Sequence, residues 1–325
     1  MKPKQRYGIL YYHSLIDFYN IGDYIQSIAS SNFLPHIDEY VIRESIDSPI
    51  QYPLKLIVNG WFTHTPMHWP PHQNINPLFI SFHLNEDAIK ILDSEENINY
   101  FRSHAPIGCR DITTLRNFEN VGIPCYLSSC LTLTLNQKIQ ETQQSNEILF
   151  VDVLYKTSGW RDVMFSRNKI RKILSLIKQG RMYQREKILF KFFSKRILFK
   201  AKYLTHNSRA FDSDHERMEE AELLLQRYAN AKLVVTSRLH CALPCLAFGT
   251  PVIFISKNLN TKRDMCRLEG MMDLFNYISL DEKNEIESNF FENKIDLESI
   301  PSNPNTYLKF VDSLINNVQF FINKI

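Results

Sequence analysis

The chain has 325 residues, 44% of them apolar and 12% aromatic, and a formal net charge of +3. At roughly 100–200 residues per domain this suffices for two packed cores and excludes a disordered tail, a fibre or a disulfide-stapled mini-protein. The start, Met-Lys-Pro-Lys-Gln-Arg, leads straight into a strand-like run with no apolar leader. No stretch reaches the roughly 18 apolar residues of a membrane span, so a cytoplasmic chain is expected.

In chain order, apolar spacing predicts a strand at Arg6–Tyr12, a helix at Asp23–Phe33, strands at Leu54–Val58 and Leu78–Phe82, and a helix at Glu86–Leu92. A helix follows at Asp111–Glu119, stopped near Gly122 and Pro124, then a strand at Cys125–Leu127. The polar stretch Asn136–Asn146 breaks this rhythm and divides a first domain, residues 1–140, from a second, residues 145–325. The second series predicts strands at Glu147–Val153, Lys202–Thr205, Leu233–Thr236 and Val252–Ile255, with helices at Asp214–Asn230 and Cys241–Phe248. A terminal helix is expected within residues 305–324. Strand and helix in alternation mean parallel sheets covered on both faces, hence an α/β fold of two Rossmann-like domains. Six cysteines, Cys109, Cys125, Cys130, Cys241, Cys245 and Cys266, are scattered too widely for a disulfide framework and read as reduced thiols.

The charge is unevenly placed. Between Arg167 and Lys202 thirteen Lys and Arg stand against one acid, Glu186, so the rest of the chain is net negative. Apolar residues interleave at near-helical spacing, and the segment 161–203 reads as a basic amphipathic insert. Three readings remain open: a helix on an anionic membrane surface or polyanionic ligand, a solvated helix with its apolar face on the core, or a nucleic-acid contact. The last lacks any binding motif. Lys187, Lys191, Lys195 and Arg196 are the candidate membrane contacts.

Lys232 to Ile255 carries the strongest local signal: a buried strand, the crowded turn Ser237-Arg238-Leu239-His240, then a helix. Ligands of open parallel sheets bind at the carboxyl ends of strands, where a helix N-terminus supplies free N–H groups. Arg238 adds a fork of donors for phosphate or carboxylate, and His240 a group able to donate a proton or hydrogen bond. A sheet-edge cap and a satisfied core histidine would leave the same pattern.

These residues resemble the Arg-Leu-His signature of the polysaccharide pyruvyl transferase family. Asn20-Ile-Gly-Asp23 is similar to its Asn-x-Gly-Asp motif, and Gly108-Cys-Arg-Asp111, Leu115, Gly122-Ile123 and Cys130-Leu-Thr-Leu-Thr-Leu135 to its central block. The likeness covers most of the chain outside residues 156–204. It implies a GT-B-like architecture with a deep interdomain cleft, and a reaction in which phosphoenolpyruvate donates a pyruvyl group that bridges two sugar hydroxyls as a ketal, releasing phosphate. By this resemblance Arg238 binds an anionic group of the donor and His240 binds or protonates it, the two assignments being exchangeable. Leu239 contributes its backbone, and Arg110 is a second cation. Asp23 accepts from an acceptor hydroxyl, acts as a base, or merely caps its helix.

Further candidates are Ser237 and His206 on the donor side, with Arg263 added from the segment after Val252–Ile255, where Arg267 also lies. On the acceptor side stand Asn20, Asn59, Gly60, Trp61, Trp69 and His83, residue types that stack on and hydrogen-bond to sugars. His64, His68 and His72 mimic a metal-binding helix face, but Pro66, Pro70 and Pro71 forbid that helix, and no metal or other cofactor is expected. The expected acceptor is a cell-surface polysaccharide such as a capsule or its lipid-linked precursor, on the inner face of the plasma membrane. Two rivals are a nucleotide-sugar glycosyltransferase, with Glu269 or Asp264 holding a ribose, and a non-enzymatic membrane-surface scaffold.

Overall fold

Short runs of Val, Ile, Leu and Phe, too short for helices and bounded by turns, become strands buried on both faces. A computed structural model describes residues 5–12, 19–137, 145–163, 166, 168–208, 213–257 and 262–324, with the side chains of Tyr19, Trp61, Gln137, Arg161, Ser208, Lys262, Arg263 and Met265 outside the description.

In the first half, β1 (Arg6–Tyr11) is followed by β2 (Tyr19–Asn20), α1 (Ile21–Ser31), β3 (Glu39–Ile42), β4 (Leu54–Phe62) and β5 (Ile75–Leu84). Then come α2 (Glu95–Ser103), β6 (Ile107–Cys109), α3 (Ile112–Asn120) and β7 (Cys125–Leu127). The first sheet is parallel throughout, in the order β3-β1-β4-β5-β6-β7. The second half runs β8 (Ile148–Val151), α4 (Lys169–Lys178), α5 (Gln184–Phe192), α6 (Lys195–Lys200), β9 (Ala201–Leu204), β10 (Asn207–Ser208), α7 (Asp214–Asn230), β11 (Leu233–Thr236) and α8 (Leu239–Ala247). It continues with β12 (Val252–Lys257), α9 (Lys262–Leu268), β13 (Asn276–Leu280), β14 (Ile286–Ser288) and α10 (Leu308–Asn323). Its sheet has the order β14-β13-β12-β11-β8-β9, parallel except for β14.

With β2 and β10 set aside, both sheets share one order by chain appearance, 2-1-3-4-5-6. This corrects the Rossmann-like expectation, whose order is 3-2-1-4-5-6, in favour of the flavodoxin-like winding. The difference fixes where a ligand belongs. The strand order reverses between β1 and β4 in one sheet and between β8 and β11 in the other, and crevices open beyond the carboxyl ends at those points.

The two halves are tied at these edges. β2 and β10 pair antiparallel, Asn20 opposite Asn207, and the Ile21 amide donates to the His206 carbonyl at 2.9 Å. One apolar core runs through Ile25 and Ile28 of α1, Leu131, Leu133 and Leu135 of a 3₁₀ segment, Leu224 and Leu225 of α7, and Leu243 and Leu246 of α8. Leu314, Val318 and Phe321 of α10 join it, and Lys55 of β4 donates to the carbonyls of Phe321 at 2.7 Å and Ile322 at 3.1 Å and to that of Lys324. The terminal helix, expected with the second half, is therefore anchored on the first.

The basic insert is three helices rather than one. Ile188, Leu189 and Phe192 of α5 and Ile197 and Leu198 of α6 pack with Phe150 in the core of the second sheet, whereas α4 buries Leu176 alone. The solvated-helix reading thus holds for α5 and α6.

Candidate functional site

At the reversal point of the second sheet, β8 is followed by Asp152 at φ +46°, and β11 ends in Thr236, whose hydroxyl accepts from the Arg238 amide at 3.0 Å. Arg238 N-caps α8 and turns its guanidinium back across the point. Its Nε donates to Asp152 Oδ2 at 2.8 Å, its Nη2 to Asn207 Oδ1 at 3.2 Å, and its plane lies 4.2 Å from the Tyr155 ring centroid. Burial alone would raise the Asp152 pKa, but the Arg238 charge and His206 hold it below the usual carboxylate range. Arg238 is thereby fixed in position without its remaining donors being used up. The Ser237 hydroxyl is committed to the backbone, accepting from the Leu154 amide at 2.8 Å and donating to the Ile255 carbonyl.

The first half contributes through α1. Asn20, not Asp23, caps this helix, its Oδ1 accepting from the Gly22 amide at 3.2 Å. Asp23 is left facing His240, with Oδ1 3.9 Å from Nδ1. A Cβ on Gly22 would stand 2.8 Å from His206 Nδ1, so glycine there is what lets the buried His206 ring lie against α1. That ring is held from behind by Tyr228, Nε2 to hydroxyl 2.7 Å.

Arg110 leaves the end of β6 with its amide on the Phe82 carbonyl at 2.9 Å. The residue is 1% exposed, yet its Nε and Nη2 have no hydrogen-bond partner among the described residues. Asp111 Oδ2 lies 3.5 Å from Nε, but that oxygen is engaged by His83 Nδ1 at 2.6 Å while Oδ1 caps α3 through the Thr114 amide at 2.9 Å. A buried, under-bonded guanidinium is costly, and an anionic ligand is what would offset it.

These residues meet at one cavity of about 500 Å³ with walls from both halves. Arg43, Arg110, Lys156, Arg238 and Arg267 face it against two carboxylates, Asp23 and Asp264. Asp264 is shared by Lys156 and by Arg267 Nη2 at 3.2 Å, and Arg43 bonds Glu44 at 2.5 Å. The excess charge is positive. Burial, reinforced by the Arg110 charge, pushes His240 well below the usual imidazole pKa, and its Nε2 has no partner among the described residues. Burial pushes the Asp23 carboxyl above its ordinary value against the pull of Arg43 and Arg238. The same surroundings thus push a carboxyl and an imidazole 3.9 Å apart towards their uncharged forms.

Of the sequence candidates, Asn20, Asp23, Arg110, His206, Ser237, Arg238, Leu239 and His240 line this cavity. Trp69 instead stacks on Phe101 at 4.9 Å in the aromatic core. Asn59 bonds the Gln26 carbonyl at 3.1 Å beneath α1, and Gly60, at φ +89°, makes room for Gln26 Oε1, which a Cβ would meet at 2.1 Å. His83 is fully buried on Asp111, its pKa lowered to about 4, chiefly by burial. These four serve packing: Asn59, Gly60 and His83 sit on β4 and β5, and Trp69, in the segment between those strands, is drawn into the aromatic core. The side chains of Trp61 and Arg263 lie outside the described residues; Arg267, one turn beyond Arg263, lines the cavity. His64 pairs with Asp87 and His68 with Asp47, on separate carboxylates. Glu269 is taken by Arg116 at 2.6 Å and Thr113 at 2.7 Å. Sequence reasoning missed Arg43, Tyr155 and Lys156 as cavity residues. The available signal was Tyr40-Val41-Ile42, an edge strand delivering Arg43 to the carboxyl side, and Asp152 to Lys156 following the end of β8.

A family model described as polysaccharide pyruvyl transferase matches residues 93–258, just over half the chain, spanning both Arg110 and the Arg238 turn. Among solved structures, a protein of uncharacterised function from Klebsiella pneumoniae subsp. pneumoniae is 12% identical, with 81% of this chain and 87% of that one covered and a TM-score of 0.43. The E. coli heptosyltransferase WaaC with ADP is 11% identical, with 97% and 100% covered and a TM-score of 0.26. No curated protein matches the chain.

Proposed function

The chain belongs to the polysaccharide pyruvyl transferase family, and on that premise we propose that it transfers the pyruvyl group of phosphoenolpyruvate to a sugar of a surface polysaccharide or its lipid-linked precursor, forming a ketal. The observation that carries this reading is the cavity at both reversal points, where five cations outnumber two carboxylates around an Asp23–His240 pair. Such a donor brings a phosphate and a carboxylate. Arg238, braced by Asp152 and Tyr155, and Arg110, with its free donors, suit two separate anionic groups.

The balance of the reaction assigns the rest. Carbon 3 of the enol gains one proton, carbon 2 takes the oxygens of two hydroxyls, and the carbon–oxygen bond to phosphate breaks. Two hydroxyl protons are released, one matching the proton gained at carbon 3 and the other leaving with phosphate. Burial favours the protonated form of Asp23 and the neutral form of His240, which assigns the supply of the proton to Asp23 and its removal from the attacking hydroxyl to His240. The incoming negative charge favours protonation of both groups, so the proton stays within the pair as the donor seats. Positive groups around the leaving phosphate stabilise charge as it develops. This reverses the expected roles of Asp23 as base and His240 as proton source. The nucleotide-sugar reading is less well served, since Asp264 is engaged by two cations and Glu269 by Arg116 and Thr113.

Calorimetric titration with phosphoenolpyruvate and, separately, nucleotide sugars tests the reading. Binding of phosphoenolpyruvate alone, weakened at least about tenfold in Arg238→Ala by loss of a charge-assisted contact, is expected; binding of a nucleotide sugar alone would replace it with the glycosyltransferase.

A further inference from the structure

The outward face of α4 is not packed on the fold. Ile170, Leu174 and Ile177 recur at i, i+4 and i+7, forming one stripe, and are 74%, 63% and 58% exposed. Arg171 and Lys178 stand on one flank, about a quarter-turn round the helix. The turn Trp160–Val163 packs against α4, and Trp160 lines a shallow apolar pocket with Phe190 of α5 and Phe199 of α6, the latter 84% exposed. Lys187, Lys191, Lys195 and Lys200 project from the same two helices into solvent. Large aliphatic side chains left in water along a helix normally mark a contact surface.

Charge identifies the occupant. Residues 167–202 hold thirteen Lys and Arg against one acid in a chain otherwise net negative, and although Arg185 is buried on Asp162 and Lys202 pairs with Glu147, Arg171, Lys178, Lys187, Lys191, Lys195 and Lys200 are exposed. Arg196 is already paired with Asp296 and Glu298, the latter at 3.0 Å, so it is a weaker contact than the sequence suggests. A duplex would neutralise the charge but leave the stripe in water. An anionic bilayer satisfies both, taking aliphatic side chains at the acyl boundary and ammonium and guanidinium groups among the headgroups.

We infer that α4, with Phe190 and Phe199 near its supporting turn, is an interfacial anchor that seats this face of the protein on an anionic lipid bilayer. Among the described residues no helix is long and apolar enough to cross a membrane, so the contact lies in the surface plane. The chain reaches α4 from Lys156 of the cavity wall by way of the Trp160–Val163 turn, which ties the anchor to the site. The inference stands on α4 itself and not on the chemistry proposed for the cavity.

Sedimentation of the full chain with phosphatidylcholine vesicles, with and without phosphatidylglycerol, tests it. Wild type should pellet with the anionic vesicles only. Ile170→Asn/Leu174→Asn/Ile177→Asn and, separately, Arg171→Gln/Lys178→Gln/Lys187→Gln/Lys191→Gln should each lower the partition at least about tenfold. Unchanged far-ultraviolet circular dichroism and melting temperature would show both variants to be folded. Wild type remaining in the supernatant, or the asparagine variant pelleting like wild type, would overturn the anchor. Binding of duplex DNA by wild type and the asparagine variant alike, with no vesicle binding, would overturn it in favour of a nucleic-acid contact.

Discussion

Arg110 pairs a buried charge with two nitrogens that lack hydrogen-bond partners among the described residues. Removing such a charge relieves a desolvation cost, whereas removing one that a fold needs exposes its partner. Arg110→Met should therefore leave the melting temperature unchanged or raise it, while donor affinity measured by calorimetry falls about 10- to 100-fold. A large fall in melting temperature would make Arg110 structural. The Asp23–His240 pair predicts a pH profile. Asp23, raised by burial, keeps its proton until the pH rises through its elevated pKa, above which the acid is lost. His240, depressed by burial and by Arg110, stays neutral until the pH falls below the ordinary 6.5 and through its lowered value. Initial rates should give a bell-shaped kcat/KM, and Asp23→Asn should abolish the alkaline limb and lower kcat about 10²- to 10⁴-fold. A retained alkaline limb in that variant would return the acid role to another group.

Among elements, α10 is held by its apolar face in the shared core and, at its end, by Lys55. Lys55, buried in β4, donates to the helix's last carbonyls, groups that have no partner within a helix. Lys55→Met keeps the packing but removes those bonds, and should cost about 2 kcal/mol in urea unfolding; a neutral outcome would mean that the apolar face alone holds the helix. Elements whose apolar pattern is long or capped were legible in the sequence: α7, opened by the Ser213–Glu216 capping box, and β11 lie at the expected residues. Others were not. β3 and β14 are exposed edge strands and β6 is only Ile107-Gly108-Cys109, so none carries the buried apolar run that marks β11, and the helix expected at Glu86–Leu92 is a 3₁₀ turn, Ala88–Asp93, with α2 beginning after Ser94. For the basic insert the sequence left the membrane and core readings open, and only the tertiary fold separates α5 and α6, packed on a core, from α4.

At the scale of the molecule, the cavity belongs to neither half alone. Asp23, Arg43 and Arg110 come from the first sheet's side and Lys156, Arg238 and Arg267 from the second's, so a bound anion links them. Ligand at 100 times its Kd should stabilise the fold by about 2.7 kcal/mol, read as a single shifted melting transition; two transitions, only one of them shifted, would place the donor within one half. The Arg238 turn was legible because strand, turn and helix are consecutive, and Asp23 because it opens a helix after the first strand. Arg43, Lys156 and the Asp152 brace were not, because they follow strands of two different sheets, β3 and β8, whose carboxyl ends meet only in the tertiary fold. Trp69 and His83 show the converse: residue types suited to sugars, drawn inward, His83 by the burial of β5 and Trp69 by the aromatic cluster around Phe79 and Phe101. The most direct measurement is phosphate release from phosphoenolpyruvate with and without a panel of free and lipid-linked sugars, for wild type, Arg238→Ala and His240→Ala. The account predicts release that requires an acceptor and is lost in both variants; acceptor-dependent release that persists in both, or none with any acceptor, would contradict it.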